Sequence, residues 1–282
     1  MLKLLFVIFA SFGAANWAQA SPNQHVFRTS DGVLLNYMQA GQASRSIVFV
    51  PGWLMPAEIF KHQVADLSKD YKVIVLDPRG QGQSQAKVKD MSARRRARDV
   101  KELVQHLKLQ NYVLAGWSLG VMEILETVDS HKLPGLRGLV LIDNSIGMGP
   151  AKPGTPWKKP MQVAEFREHM ERFAKAIFKQ VPEDGLVEVI VKSATRLPPK
   201  TAWQLLNKPH DRSYYKDVIL STSMPIWYAI TPRYSPQGDE LLATRAGASV
   251  TLFPEAGHAL FVDSAAFFNE QLREFMESLA GP

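Results

Sequence analysis

The chain has 282 residues, of which 46% are hydrophobic and 21% charged, with 33 Lys and Arg against 27 Asp and Glu and no cysteine at all. That length fits one large globular domain with an insertion, and the composition excludes a disordered or repetitive chain. Lack of cysteine rules out a disulfide framework and a lipoprotein attachment site, so the fold must hold without cross-links.

Residues Met1 to Ala20 carry one charge, Lys3, then an apolar stretch from Leu4 to Ala15 and an Ala18-Gln19-Ala20 ending. This pattern predicts a signal peptide over 1–20, cleaved before Ser21, and hence an exported, periplasmic or secreted protein. The apolar stretch falls well short of the roughly 20 residues that would span a bilayer, so no transmembrane anchor is expected after processing.

Next, an Asp31-Gly32 turn joins strands over 25–29 and 33–38 as a hairpin. Strand patterns near 46–51, 72–77, 111–116, 137–143, 225–231 and 249–253 alternate with helical patterns near 57–69, 92–108, 119–129, 236–245 and 263–279. Such alternation predicts an α/β fold, a mostly parallel doubly wound sheet with helices on both faces. The rhythm breaks between Ser145 and Ser223, where helical segments near 162–179, 183–195, 200–207 and 213–220 follow one another without a strand. These bounds divide the chain into a core, 21–144 and 223–282, and a helical cap insertion, 145–222. The turn-forming entry Gly147 to Gly154 reads as a hinge. The cap holds most of the chain's basic excess, which is read as a solvated helical face, as is the Arg94-Arg95-Arg96-Ala97-Arg98 cluster. Without interleaved aromatics neither makes a nucleic-acid site.

One motif carries chemistry. Gly116-Trp117-Ser118-Leu119-Gly120 follows the β-forming run Tyr112-Val113-Leu114 and precedes a helical pattern, the context a nucleophile elbow requires. Ser118 is thereby nominated as a nucleophile, and a hydroxyl needs a base. Of the seven histidines, His258 alone stands on a Gly-His step between a strand (250–253) and the last helix. His106 and His169 fall within helical patterns and read as surface or core-edge residues.

These segments resemble the α/β-hydrolase superfamily, in particular its cofactor-free serine esterases, over about residues 25–280. Ser46 to Trp53 resembles the third strand running into the oxyanion loop, and Asp77-Pro78-Arg79-Gly80-Gln81-Gly82-Gln83-Ser84 resembles the DxRGxGxS segment. The family's order of nucleophile, acid and histidine implies Ser118 and His258 in the outer two roles. The loop after 225–231, where most members carry the acid, reads Thr231-Pro232-Arg233-Tyr234-Ser235-Pro236 and has no carboxylate. Asp143, at the end of the 139–143 strand, occupies the position that haloalkane dehalogenases use for the acid. Asp239, or no acid, are the alternatives.

The resemblance further implies an oxyanion hole from the backbone N–H groups of Trp53 and Leu119. Pro51 replaces the family's usual histidine in that loop, which leaves open what holds it. Leu54, Met55, Trp117 and Met122 are expected to line an apolar acyl pocket, core packing being the other role for Trp117 and Met122. The implied activity is hydrolysis of a small-molecule carboxylic ester through an acyl-enzyme, with no cofactor and no metal, in a protein taken as a monomer by default. Lactonase, thioesterase and carbon–carbon bond hydrolase chemistry use the same machinery. A perhydrolase is a further alternative, because Gly52-Trp53 and Glu123 look like the cofactor-free haloperoxidase group. Outside catalysis, the missing late carboxylate motivates a ligand-binding protein on a hydrolase scaffold.

Overall fold

The computed structural model describes residues 23–150, 159–207 and 209–279. The predicted signal peptide lies outside them, and so does the second half of the predicted hinge, 151–154. Eight strands form one sheet: β1 (Asn23–Arg28), β2 (Leu34–Ala40), β3 (Ser46–Val50), β4 (Lys72–Leu76), β5 (Tyr112–Trp117), β6 (Leu136–Ile142), β7 (Ile226–Ile230) and β8 (Ala248–Leu252). Their order is β1-β2-β4-β3-β5-β6-β7-β8. The first two form the antiparallel hairpin and β2 also meets β4 antiparallel, while every pairing from β4 onward is parallel.

β3 and β5 are buried along their whole length, as strands covered on both faces must be. Alternate residues serve opposite cores, since successive side chains point to opposite faces. Ile47, Phe49, Val113, Ala115, Trp117, Val140 and Ile142 pack toward α1 (Lys61–Leu67), α9 (Leu260–Asp263) and α10 (Ala265–Ser278). Val48, Val50, Leu114, Leu139 and Leu141 pack toward α2 (Ala93–His106) and α3 (Leu119–Ser130), and Tyr228 and Ile230 with Leu241 of α8 (Ser235–Thr244).

Among the described residues, four helices separate β6 from β7: α4 (Val163–Ala176), α5 (Leu186–Ala194), α6 (Pro199–Gln204) and α7 (Arg212–Ser221). They do not stand apart. Phe166, Met170, Ala194, Ala202 and Trp203 share one buried cluster with Trp53, Leu54 and Leu119, at the end of the sheet where the elbow lies. The Trp53 indole donates to the Ala202 carbonyl at 2.7 Å and packs against Trp203 with ring centroids 4.8 Å apart.

The basic run at 94–98 departs from the expected solvated face. Arg94 and Arg98 are exposed, but Arg95 and Arg96 are buried. Arg95 pairs with Asp99 at 2.7 Å and Glu102 at 2.8 Å, and Arg96 reaches across to Glu123 on α3 at 2.6 Å. At the spacing of a helix two of the four guanidinium groups face inward, and a buried cation persists only with a partner.

Candidate active site

β5 ends in a sharp turn whose geometry its residues dictate. Ser118 has φ 53° and ψ −119°, a region that side chains rarely occupy. The turn is possible because its neighbours lack side chains. A Cβ on Gly116 would stand 2.4 Å from the Gly120 carbonyl oxygen, and one on Gly120 would stand 2.1 Å from that of Val50. Helix α3 begins at Leu119, so the Leu119 N–H belongs to the first turn and has no acceptor within the helix.

The serine is the first member of a hydrogen-bonded chain. Ser118 Oγ lies 2.9 Å from His258 Nε2, and His258 Nδ1 lies 2.7 Å from Asp143 Oδ2. Asp143 follows β6 directly, is buried and has φ 43°. Its second oxygen accepts from both the backbone N–H (2.8 Å) and the hydroxyl (2.7 Å) of Thr231, the residue just after β7. Thr231 therefore stands in the loop where the resemblance implies an acid, and its two donors hold the Asp143 carboxylate, which comes from the neighbouring strand. Asp239 is exposed on α8 and takes no part in this chain. Asn144 donates to the Ser118 carbonyl at 2.8 Å, and the Tyr228 hydroxyl donates to the Asn144 carbonyl at 2.7 Å. Burial raises the Tyr228 phenol above its usual range and keeps it a donor.

The His258 loop is tied from three sides. The Trp117 indole donates to the His258 carbonyl at 2.8 Å. Ala259 N–H donates to the Ile177 carbonyl at 2.8 Å. Asp263 Oδ2 accepts from Gly257 N–H at 2.8 Å and from Lys179 N–H at 2.9 Å, so one carboxylate joins this loop to the segment following α4.

Opposite the elbow, the Pro51-Gly52-Trp53 turn approaches so closely that a Cβ on Gly52 would stand 3.0 Å from that of Ser118. Asp77 braces the segment that follows this turn. Its Oδ1 accepts from Ala57 N–H at 2.6 Å, and its Oδ2 from Gln83 N–H and the Asn36 amide, each at 2.8 Å. Burial lifts this carboxyl to about 6 in spite of those donors.

Ser118 opens onto a cavity of about 490 Å3 whose wall includes Leu119, Met122, Asn144 and Tyr234. Of the four residues expected to line an acyl pocket, Met122 does so, whereas Leu54, Met55 and Trp117 are buried away from it. Trp117 follows the alternation of β5 and faces the α9–α10 side, where it packs on Phe261 and His258. The wall is not uniformly apolar. Arg96, Glu123, Glu126, Arg212 and Gln237 also contribute to it. Among the described residues, no group of three or more His, Asp or Glu side chains is arranged to hold a metal ion.

Chemically, the chain of contacts can take a proton from Ser118 to His258 while Asp143 holds the imidazole with its proton on Nδ1. A carbonyl carbon seated at Ser118 would have its oxygen near the Trp53 and Leu119 turns.

A model of the alpha/beta hydrolase family matches residues 47–271. The AB hydrolase superfamily protein YisY of Bacillus subtilis is 29% identical over 134 residues, which are 47% of this chain and 50% of that protein. The human serine hydrolase BPHL is 36% identical over 95 residues, 32% of this chain and 33% of that one. The matched segments thus span half or less of these two relatives. A putative aryl esterase from Burkholderia cenocepacia superimposes with a TM-score of 0.79 at 20% identity, over 91% of this chain and 99% of the other. At that identity the likeness is one of fold.

Proposed function

The chain belongs to the alpha/beta hydrolase family, and from that premise we propose that it is a serine hydrolase that cleaves a carboxylic ester through an acyl-enzyme. His258 deprotonates Ser118, whose oxygen attacks the ester carbonyl, and Asp143 stabilises the imidazolium. The Trp53 and Leu119 N–H groups stabilise the oxyanion, each worth roughly 3–4 kcal/mol in the transition state. His258 then returns the proton to the leaving alcohol and activates the water that hydrolyses the acyl-enzyme.

The observation that carries this reading is the unbroken contact from Ser118 Oγ to His258 (2.9 Å) and from His258 to Asp143 (2.7 Å). The contact of Asp143 with the imidazole favours this reading over a ligand-binding protein on a hydrolase scaffold. The test is turnover of a panel of p-nitrophenyl esters, thioesters and lactones by wild type and Ser118→Ala. Ester hydrolysis that disappears in a folded Ser118→Ala supports the proposal, and equal turnover by both proteins refutes it. Export belongs to the same proposal: the mature protein begins at Ser21, and an intact Met1–Ala20 segment on the recovered protein would refute that part.

A further inference from the structure

Helix α3 gives the cavity four side chains, Leu119, Met122, Glu123 and Glu126. Their spacing of three, four and seven residues from the first is that of one helix face. Along this face the wall changes character, apolar at Leu119 and Met122 beside the nucleophile and acidic further on. With a rise of 1.5 Å per residue, Glu123 lies about 7.5 Å along the helix axis from Ser118.

The two carboxylates are not equivalent. Glu126 is fully engaged: Oε2 accepts from His210 Nε2 at 2.6 Å and the Tyr214 hydroxyl at 3.1 Å, and Oε1 from the Ser130 hydroxyl at 3.2 Å. Glu123 is half engaged. Its Oε1 accepts from Arg96 Nε at 2.6 Å, while Oε2 is buried with no hydrogen-bond partner. Arg96 directs its two terminal nitrogens to the carbonyls of Met91 and Leu205 rather than to Oε2. An orphaned acceptor on a buried carboxylate is costly, and such groups are rare unless a ligand or water completes them. Burial also pushes the Glu123 carboxyl up, against the opposing pull of Arg96.

We propose that Glu123 sets the specificity of the hydrolysis proposed above, its free oxygen accepting from a hydrogen-bond donor that the substrate carries at the end of an apolar arm of about six bonds, long enough to run past Leu119 and Met122 along α3. Leu119 and Met122 cover the arm, and Glu123 reads its end. The donor is a hydroxyl or an ammonium group. A plain alkyl ester fills the same space but leaves Oε2 unpaired, so the discrimination comes from a penalty on the wrong substrate as well as a gain on the right one.

The test uses methyl ω-hydroxyhexanoate, its ω-amino analogue and methyl heptanoate, which matches them in length, together with acetates bearing the same three arms on the alcohol. For wild type, at least one donor-bearing ester should exceed its alkyl isostere in kcat/KM by about tenfold or more. Which donor gains more distinguishes hydroxyl from ammonium. In Glu123→Gln, the amide oxygen stays on Arg96 Nε–H and the NH2 takes the orphan position, so an ammonium meets a donor and its preference should vanish or invert, whereas a hydroxyl can turn to accept from the NH2 and keep part of its preference. The double variant Arg96→Met/Glu123→Leu removes the ion pair together, a replacement that buried pairs often tolerate, and should bring the ratio to about one. A wild-type ratio within twofold on both sides of the ester overturns the proposal, as does a ratio that survives both variants. Dissociation constants of the same esters on Ser118→Ala separate the two readings. A donor preference in binding without any turnover by wild type would leave Glu123 in this role and refute the hydrolase proposal instead.

Discussion

Asp143→Asn is the perturbation whose outcome the site's hydrogen bonds determine most completely. Asn144 and the elbow are untouched by it, and Asn is nearly the size of Asp, so the fold should survive. The new amide can face two ways. With its oxygen toward Thr231, it keeps the donors at 2.8 and 2.7 Å and presents NH2 to His258 Nδ1. That nitrogen must then be an acceptor, which puts the ring proton on Nε2, where it blocks deprotonation of Ser118. Turned the other way, the amide suits the histidine but sets its NH2 against the Thr231 backbone N–H, while the Thr231 hydroxyl has to turn round and accept. Leaving that buried N–H unsatisfied costs about 1–3 kcal/mol. Thr231 therefore locks the variant into the inactive tautomer. In a serine protease, the same exchange of the triad aspartate for asparagine lowers kcat by roughly 10⁴, or about 5.5 kcal/mol at 1.36 kcal/mol per tenfold. We expect a loss of at least about 10³ in kcat on a p-nitrophenyl ester, with Tm nearly unchanged and Asp239→Asn within about twofold of wild type. Asp143→Asn within tenfold of wild type would refute the tautomer argument.

Three further outcomes follow from contacts around the site. Gly120→Ala places a methyl group 2.1 Å from the Val50 carbonyl oxygen. A drop in stability of about 3 kcal/mol or insoluble protein is expected, beside a cost of about 1 kcal/mol for Gly185→Ala, where φ is +81° but nothing lies within 4 Å; chemical denaturation compares them. Asp263→Ala frees the His258 loop from Lys179 and should lower kcat about tenfold while KM moves little, with partial recovery in Asp263→Asn, since charged acceptors contribute about 1.5–3 kcal/mol; unchanged kcat would show the loop holds without it. For acid stability, the Arg273 guanidinium at 2.9 Å holds the Asp66 carboxyl at about 2, below its usual 3.8. Because the folded value is the lower one, its stabilisation is complete above about pH 4 and is lost as pH falls toward about 2. At a third exposed the contribution is about 1 kcal/mol, so Arg273→Gln should show a smaller loss of Tm between about pH 5 and pH 2.5 than wild type.

Much of the sheet was legible because the parallel strands are short, largely apolar runs bounded by turn formers and the Asp31-Gly32 turn marks the hairpin, and all eight fall within a few residues of expectation. Ser118 and His258 were legible for the same local reason: each sits on a glycine step between a strand and a helix. Asp143 was readable only as a carboxylate at a strand end. Its partner Thr231 lies 88 residues away, and no local pattern marks a threonine as the residue that replaces a carboxylate. The Trp117 placement had a signal in the period of two along β5, where 113, 115 and 117 share the face opposite α3. The cavity-facing spacing 119, 122, 123 and 126 was equally present. What was hidden was the pairing of Arg96 with Glu123, which joins two helices through tertiary packing and turns part of a basic run into a buried ion pair. Cavity polarity depends on such pairings, which is why an apolar pocket was expected and a mixed one found.

The central claim is that Ser118 is a nucleophile activated by His258. A fluorophosphonate probe reacts covalently with an activated serine and ignores ordinary hydroxyls, so it tests that claim without knowledge of the substrate. Mass spectrometry of the labelled, digested wild type should place a single adduct on the peptide containing Ser118. Labelling should be absent in Ser118→Ala and slowed by orders of magnitude in His258→Ala, with both variants folded. A folded wild-type protein that takes no label, or an adduct that persists in Ser118→Ala, would contradict the account.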